Sequence, residues 1–197
     1  MEPFSQSHAL QLGRLLSRHM SKCPDARDCL QKLILPVMAN VSDKVDFTLS
    51  FIGKVTNHDD GVECMHGQTE CLGNIIELCA ADVYPDPKSY LPFTNCLSQR
   101  YRDIPNESLL KDCTMEYGLD FDKINHCMSK DDGAYAMGLL RDSVQRSKDN
   151  GVKTSCTIRL EGKTRCVRDG GKWKDCEGGN KPKDLIEEIE ELYNSSS

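Results

Sequence analysis

Residues 15–52 read LLSRHMSKCPDARDCLQKLILPVMANVSDKVDFTLSFI. The closing part, Val45 to Ile52, alternates Val45, Phe47, Leu49 and Phe51 on one side, as a half-buried strand does. The opening part, Leu15 to Lys22, carries weaker strand character. Between them Cys23 is followed by Pro24 and Asp25, residues suited to a first helical turn, and then Leu30, Leu33, Ile34 and Val37 recur at the spacing of one buried helical face. Pro36 lacks the amide that an i→i−4 bond needs, so it is expected to kink or end that helix. The unit reads as strand, helix opening on a cysteine, strand.

The far end of the chain supplies the complement. Asp132 to Asn150 is a helix with Ala136, Leu140 and Val144 in register, stopped by Asn150 and Gly151. Thr157 to Leu160 and Lys163 to Arg168 flank Glu161-Gly162, a hairpin turn, and Leu185, Ile186, Ile189 and Leu192 mark a closing helix with an acidic outer face. Between the halves, cysteines, prolines and short helical patterns take over. The order βαβ, insertion, αββα is that of an α/β thioredoxin-like fold with a disulfide-rich helical insertion. Its expected boundaries are 13–56 and 131–193 for the two thioredoxin-like parts and 57–130 for the insertion, with 1–12 and 194–197 as tails. In such folds the reactive thiol sits at the start of the first helix, which here is Cys23.

Composition narrows the class further. The 197 residues carry a net charge of −6 and no long Lys/Arg block, which argues against nucleic acid or an anionic membrane as partner. No apolar run approaches the roughly 20 residues that span a bilayer. Eleven cysteines point to disulfides or metal, and their spacings favour disulfides. Cys64, Cys71 and Cys79 lack the tight knuckle spacing of structural zinc, so neither metal nor cofactor is expected. Asn-x-Ser sequons at Asn40, Asn106 and Asn194 are glycosylation candidates that agree with a secretory route. Met1 to Met20 shows no apolar signal core or cleavage site, so the chain is read as a processed form or one whose start differs from secreted relatives.

Inside the insertion, Cys64 to Cys79 reads CMHGQTECLGNIIELC. This array, Cys64, His66, Gly67, Glu70, Cys71, Asn74 and Cys79, resembles the signature of the gamma-interferon-inducible lysosomal thiol reductase (GILT) family, and the resemblance extends more loosely from about Met20 to Gly162. His66 and Glu70 are read as serving local hydrogen bonds rather than chemistry. The insertion holds Cys64, Cys71, Cys79, Cys96, Cys113 and Cys127, an even set open to 15 connectivities as three bridges. Its small helices need such staples.

The resemblance implies a CxxC pair at Cys23, one thiolate attacking a substrate disulfide and the other resolving the mixed disulfide. Here the motif is CPDA, with Ala26 in the resolving position. Cys29 is no substitute: six residues place it about 240° round the helix from Cys23, against about 60° for a partner three residues on; it is read as a buried residue or part of a structural bridge. Where GILT proteins resemble other thioredoxin-like folds in a proline before the third strand, this chain has Ser155-Cys156. Cys156 either faces Cys23 in space or is buried, or it pairs with Cys166 or Cys176. Lys22 and Arg27 are expected near the Cys23 sulfur, favouring its thiolate, with Asp25 opposing.

The function implied is a thiol-disulfide oxidoreductase, secreted or lysosomal/vacuolar, with Cys23 and Cys156 as catalytic candidates. It would reduce or isomerise protein disulfides with a small thiol such as glutathione or cysteine completing turnover. The alternative is a non-catalytic secreted binding protein on the same scaffold.

Overall fold

A computed structural model describes residues 12–57 and 61–195. Of the two tails expected from the sequence, residues 1–11 and 196–197 lie outside that range. Strand β1 (Gly13–His19) leads through Cys23 into a continuous helical run: α1 (Pro24–Cys29), a π-helical turn (Leu30–Ile34) and α2 (Leu35–Val41). Pro36 therefore neither ends nor breaks the helix; the wider π turn immediately before it absorbs the irregularity in the hydrogen-bond ladder. Strand β2 (Val45–Phe51) returns parallel to β1, with Leu15 beside Phe47 and His19 beside Phe51.

A small hairpin, β3 (Lys54–Val55) and β4 (Val62–Glu63), precedes the helical insertion α3 (Gln68–Val83), α4 (Pro87–Gln99), α5 (Glu107–Glu116) and α6 (Phe121–Ser129). Its six cysteines close among themselves as Cys64–Cys71, Cys79–Cys127 and Cys96–Cys113. Helix α7 (Ala134–Asp149) then returns to the sheet, where the hydroxyls of Ser143 and Ser147 satisfy the backbone N–H and C=O of Phe51 at the sheet edge. An unpaired strand edge is thereby capped by side chains.

Strands β5 (Thr157–Leu160), β6 (Lys163–Asp169) and β7 (Lys172–Lys174) complete a sheet of order β2-β1-β5-β6-β7. Glu161-Gly162 and Gly170-Gly171 each have positive φ at both positions, the conformation of the tight turns that match strand twist. Helix α8 (Pro182–Ser195) closes the fold and includes Asn194. One sheet face buries Leu15, Phe47, Leu49, Ile158 and Leu160 in a core shared with Leu33, Val37, Leu185 and Ile189. Among the described residues no helix is long and apolar enough to cross a membrane.

Candidate active site

Cys23 holds the N-cap position of α1, with extended φ/ψ and Pro24 next in line, so its sulfur stands where the first helical amides are unpaired. It is partly buried and carries a free thiol. The other ten cysteines are all bridged, the two pairs outside the insertion being Cys29–Cys156 and Cys166–Cys176. Cys156 thus does not face Cys23 as a partner, nor does it pair with Cys166 or Cys176. The rotation that carries Cys29 away from Cys23 turns it toward the sheet, where β5 begins, and Cys156 meets it there with a Cα separation of 6.3 Å. Both are fully buried, the Ser155–Cys156 peptide is cis, and the Ser17 hydroxyl lies 3.6 Å from the Cys156 sulfur. Ala26, in the resolving position, is buried and inert.

The charges around Cys23 differ from what linear proximity suggests. Lys22 turns away, its Nζ donating to the carbonyls of Arg102 and Ile104 at 3.1 and 2.6 Å. Arg27 donates to Asp28 and stacks over Tyr101. Asp25 is not a lone opposing charge: its Oδ1 accepts from Gly171 N at 2.9 Å and lies 3.6 Å from Arg168 Nε. Arg168 also donates to Asp28 at 2.9 Å while its guanidinium rests on Trp173. Burial alone would raise the Asp28 carboxyl, but hydrogen bonds from Lys32, Arg27 and Arg168 outweigh it and hold the group at about 2. The β6–β7 hairpin is in this way pinned under the helix that presents Cys23.

The Cys64 to Cys79 array is tied to the same loop. Asn74 Oδ1 accepts from Ser21 N at 2.9 Å, and the Ser21 hydroxyl donates to the Glu70 carbonyl at 3.1 Å. Cys64–Cys71 joins the loop before α3 to its first turn, and His66 Nδ1 meets the buried Glu70 carboxylate. Gly67 caps α3 with positive φ, and Cys79 anchors the helix to α6. Gly73 lets the two segments touch: a Cβ there would come within 2.5 Å of both Ser21 Oγ and Ile104 Cγ2. Ser21 and Gly73 escaped the sequence reading. An isolated glycine inside a helical pattern was the one available signal for Gly73.

Cys23 packs beside Met20, Ile52 and Val152. Met20 and Ile52 also line a groove of about 410 Å³ together with Gly53, Lys54, Glu63, Cys64 and Met65. Met65 is 71% exposed, an apolar side chain left open to solvent in the wall of that groove. Behind the loop, His19 Nε2 and Glu77 Oε2 face each other at 3.4 Å, both fully buried. Burial pushes the His19 imidazole down to about 3 and, with Glu70 adding, raises the Glu77 carboxyl well above the usual range. Asn40, Asn106 and Asn194 are all exposed. Among the described residues no group of three or more His, Cys, Asp or Glu side chains is arranged to hold a metal ion.

Comparison with known proteins bears on this geometry. A sequence model of the gamma interferon inducible lysosomal thiol reductase (GILT) family matches residues 18–117. The gamma-interferon-inducible lysosomal thiol reductase of Carassius auratus is 35% identical over 63 residues, which are 30% of this chain and 25% of that relative. Oxidised BdbD of Bacillus subtilis superposes with a TM-score of 0.56 at 16% identity, covering 92% of this chain and 88% of that one. The thiol-disulfide exchange protein alpha-DsbA2 of Wolbachia pipientis gives 0.57 at 14% identity, with 91% and 81% covered. A thioredoxin-like oxidoreductase of Silicibacter pomeroyi gives 0.51 at 13%, with 94% and 88% covered. At such identities these structures establish the thioredoxin-like fold.

Proposed function

Because the chain belongs to the gamma interferon inducible lysosomal thiol reductase family, we propose that it is a thiol-disulfide oxidoreductase acting on protein disulfides through one thiolate, that of Cys23. The observation that carries this reading is the pairing pattern: ten of the eleven cysteines are bridged, and the one left free sits at the start of the first helix.

The Cys23 thiolate attacks one sulfur of the substrate disulfide. A Cys23–substrate disulfide forms, and the other substrate sulfur leaves as thiolate and takes up a proton from water. With Ala26 in the resolving position and Cys156 held by Cys29, a second, external thiol such as cysteine or glutathione attacks the mixed disulfide. It releases the reduced substrate sulfur and becomes bound to Cys23, and another such thiol then frees Cys23. Each substrate disulfide thus consumes two small thiols and yields one small-molecule disulfide. Alternatively a different substrate thiolate attacks the substrate sulfur of the mixed disulfide, which forms a new substrate disulfide and releases Cys23 as the thiolate; that is isomerisation. The groove beside Met20, Ile52 and Met65 suits an apolar stretch of unfolded polypeptide. Five bridges and three exposed sequons support an oxidising, secretory destination, secreted or lysosomal/vacuolar.

The test is alkylation of the non-reduced protein with peptide mapping, coupled to cysteine-driven reduction of a disulfide-bonded protein. Label is expected on Cys23 alone, and Cys23→Ser should fall to the uncatalysed rate. Full activity in Cys23→Ser would remove Cys23 from the mechanism. The buried Ala26 favours one other reading, a binding protein that has lost redox turnover. A wild-type protein that binds reduced and oxidised polypeptide equally, yet never forms a mixed disulfide, would establish that reading instead.

A further inference from the structure

The sheet face opposite the main core is not apolar. Along β1 and β2 it presents Arg14, Leu16 and Arg18 beside Asp46 and Thr48. Arg146 and Asn150 come over them from α7 and the segment just after it, and the Glu161-Gly162 turn closes one end of a cavity of about 610 Å³. That turn lies at the end of β1 remote from Cys23, and Cys23 lines no part of the cavity.

Arg18 decides what the cavity is for. Its side chain is 1% exposed, and among the described residues neither Nε nor Nη1 has a hydrogen-bond partner. A guanidinium keeps its proton in proteins and is costly to bury unpaired, so a persistent buried Arg calls for a counter-charge. The surroundings add positive charge instead. Burial, then Arg159 and Arg146, bring the Arg18 group down to about 10. Arg159 donates to the Asn150 backbone and side-chain oxygens at 2.8 Å and to the Gly162 carbonyl. Of the two acids on the wall, Glu161 already accepts from the Arg14 backbone amide, and Asp46 stands on the edge strand. Arg14, Arg18 and Arg146 of the lining, with Arg159 acting on Arg18 from just outside it, stand against Asp46 and Glu161 and leave two positive charges unbalanced. A water molecule would satisfy the donors but not that charge.

We propose that this cavity binds a compact doubly charged oxyanion of the phosphate or sulfate class, with Arg18 as the buried donor and Arg146 and Arg14 at the mouth. Planar guanidinium donors match the oxygens of such groups, and a dianion balances the site where a carboxylate would leave half of the excess.

The test is calorimetric titration of the full chain with sodium phosphate and sodium sulfate at neutral pH, ionic strength held constant with chloride, and with acetate as the monoanion. Saturable binding of phosphate, sulfate or both is expected, with acetate weaker; the tighter ion identifies the group. Arg18→Met and the exposed Arg146→Gln should each weaken it at least about tenfold, the loss of one charged hydrogen-bond partner. If Arg18→Met fails to fold by circular dichroism, Arg146→Gln decides alone. No saturable binding, binding undiminished in a folded variant, or acetate binding as tightly as the dianions overturns the proposal.

Discussion

Replacing Glu77 with Gln should change the pH at which this protein is most stable, by an amount set by proton counting. His19 and Glu77 are buried against each other. Burial pushes His19 down to about 3 and Glu77 well up, so the folded pair holds one proton across the middle of the pH range, whichever of the two carries it. The unfolded chain follows the ordinary values, 6.5 for His and 4.5 for Glu. Below 4.5 it binds two protons on these groups and outcompetes the folded state, so stability falls with falling pH. Between 4.5 and 6.5 both states bind one proton and the pair contributes no slope. Above 6.5 the unfolded chain binds none, the folded state one, and stability falls with rising pH until Glu77 gives up its proton.

Glu77→Gln removes the folded-state proton but leaves His19 neutral, which moves the optimum above 6.5. From pH 5 upward, the gap between wild type and variant should shift by about 1.4 kcal/mol per pH unit, the worth of one proton. Urea unfolding under non-reducing conditions at pH 5, 6 and 7 measures it, and comparing the two proteins cancels every other titrating group. Parallel stability curves would mean that the folded pair holds no such proton and would overturn this account.

Two other substitutions test the site and its scaffold. Ala26→Cys should install the missing resolving thiol: mapping of the oxidised protein would find Cys23 bridged to the introduced sulfur and trapped mixed disulfides would become short-lived, at a cost of about 1–3 kcal/mol for enlarging a buried alanine. Removing Cys79–Cys127 by a double Ser substitution should cost about 4 kcal/mol by the loop-closure relation for a separation of 48 residues; a loss of unfolding free energy in urea under about 1 kcal/mol would mean that packing of α3 on α6 alone holds the insertion.

Much of this architecture is legible in local pattern. The alternation from Val45 and the helical register after Cys23 place β1, the helical run and β2, and the hairpin at Glu161-Gly162 places β5 and β6. Strand β7 hides because it is three residues long, announced only by Gly170-Gly171. The site is less legible because its charges are satisfied from afar. Asp25 looks like an isolated carboxylate beside Cys23 until Gly171 and Arg168 arrive from the other end of the chain. The helical phase argument correctly separates Cys29 from Cys23 but is silent about what Cys29 then faces. That answer depends on where β5 begins, a tertiary fact. The signature array is visible as a pattern, whereas its grip on Ser21 through Asn74 is visible only in space.

The bridges nest. Cys29–Cys156 spans the insertion, while the insertion's three bridges stay within it and Cys166–Cys176 stays within the last third. A protease that cuts the backbone once anywhere between residues 30 and 155 therefore releases nothing under non-reducing conditions, since the two pieces remain joined through the helix that carries Cys23. Two cuts, one before Cys64 and one after Cys127, would instead free a covalently self-contained block and leave the nucleophile, its helix and the sheet as one piece. The molecule can be nicked without losing its thiol's support, and an excised insertion would be held in place by noncovalent ties alone, among them Ser21 and Lys22 from the loop before Cys23, His19 against Glu77, Tyr135 on Asp82, and packing.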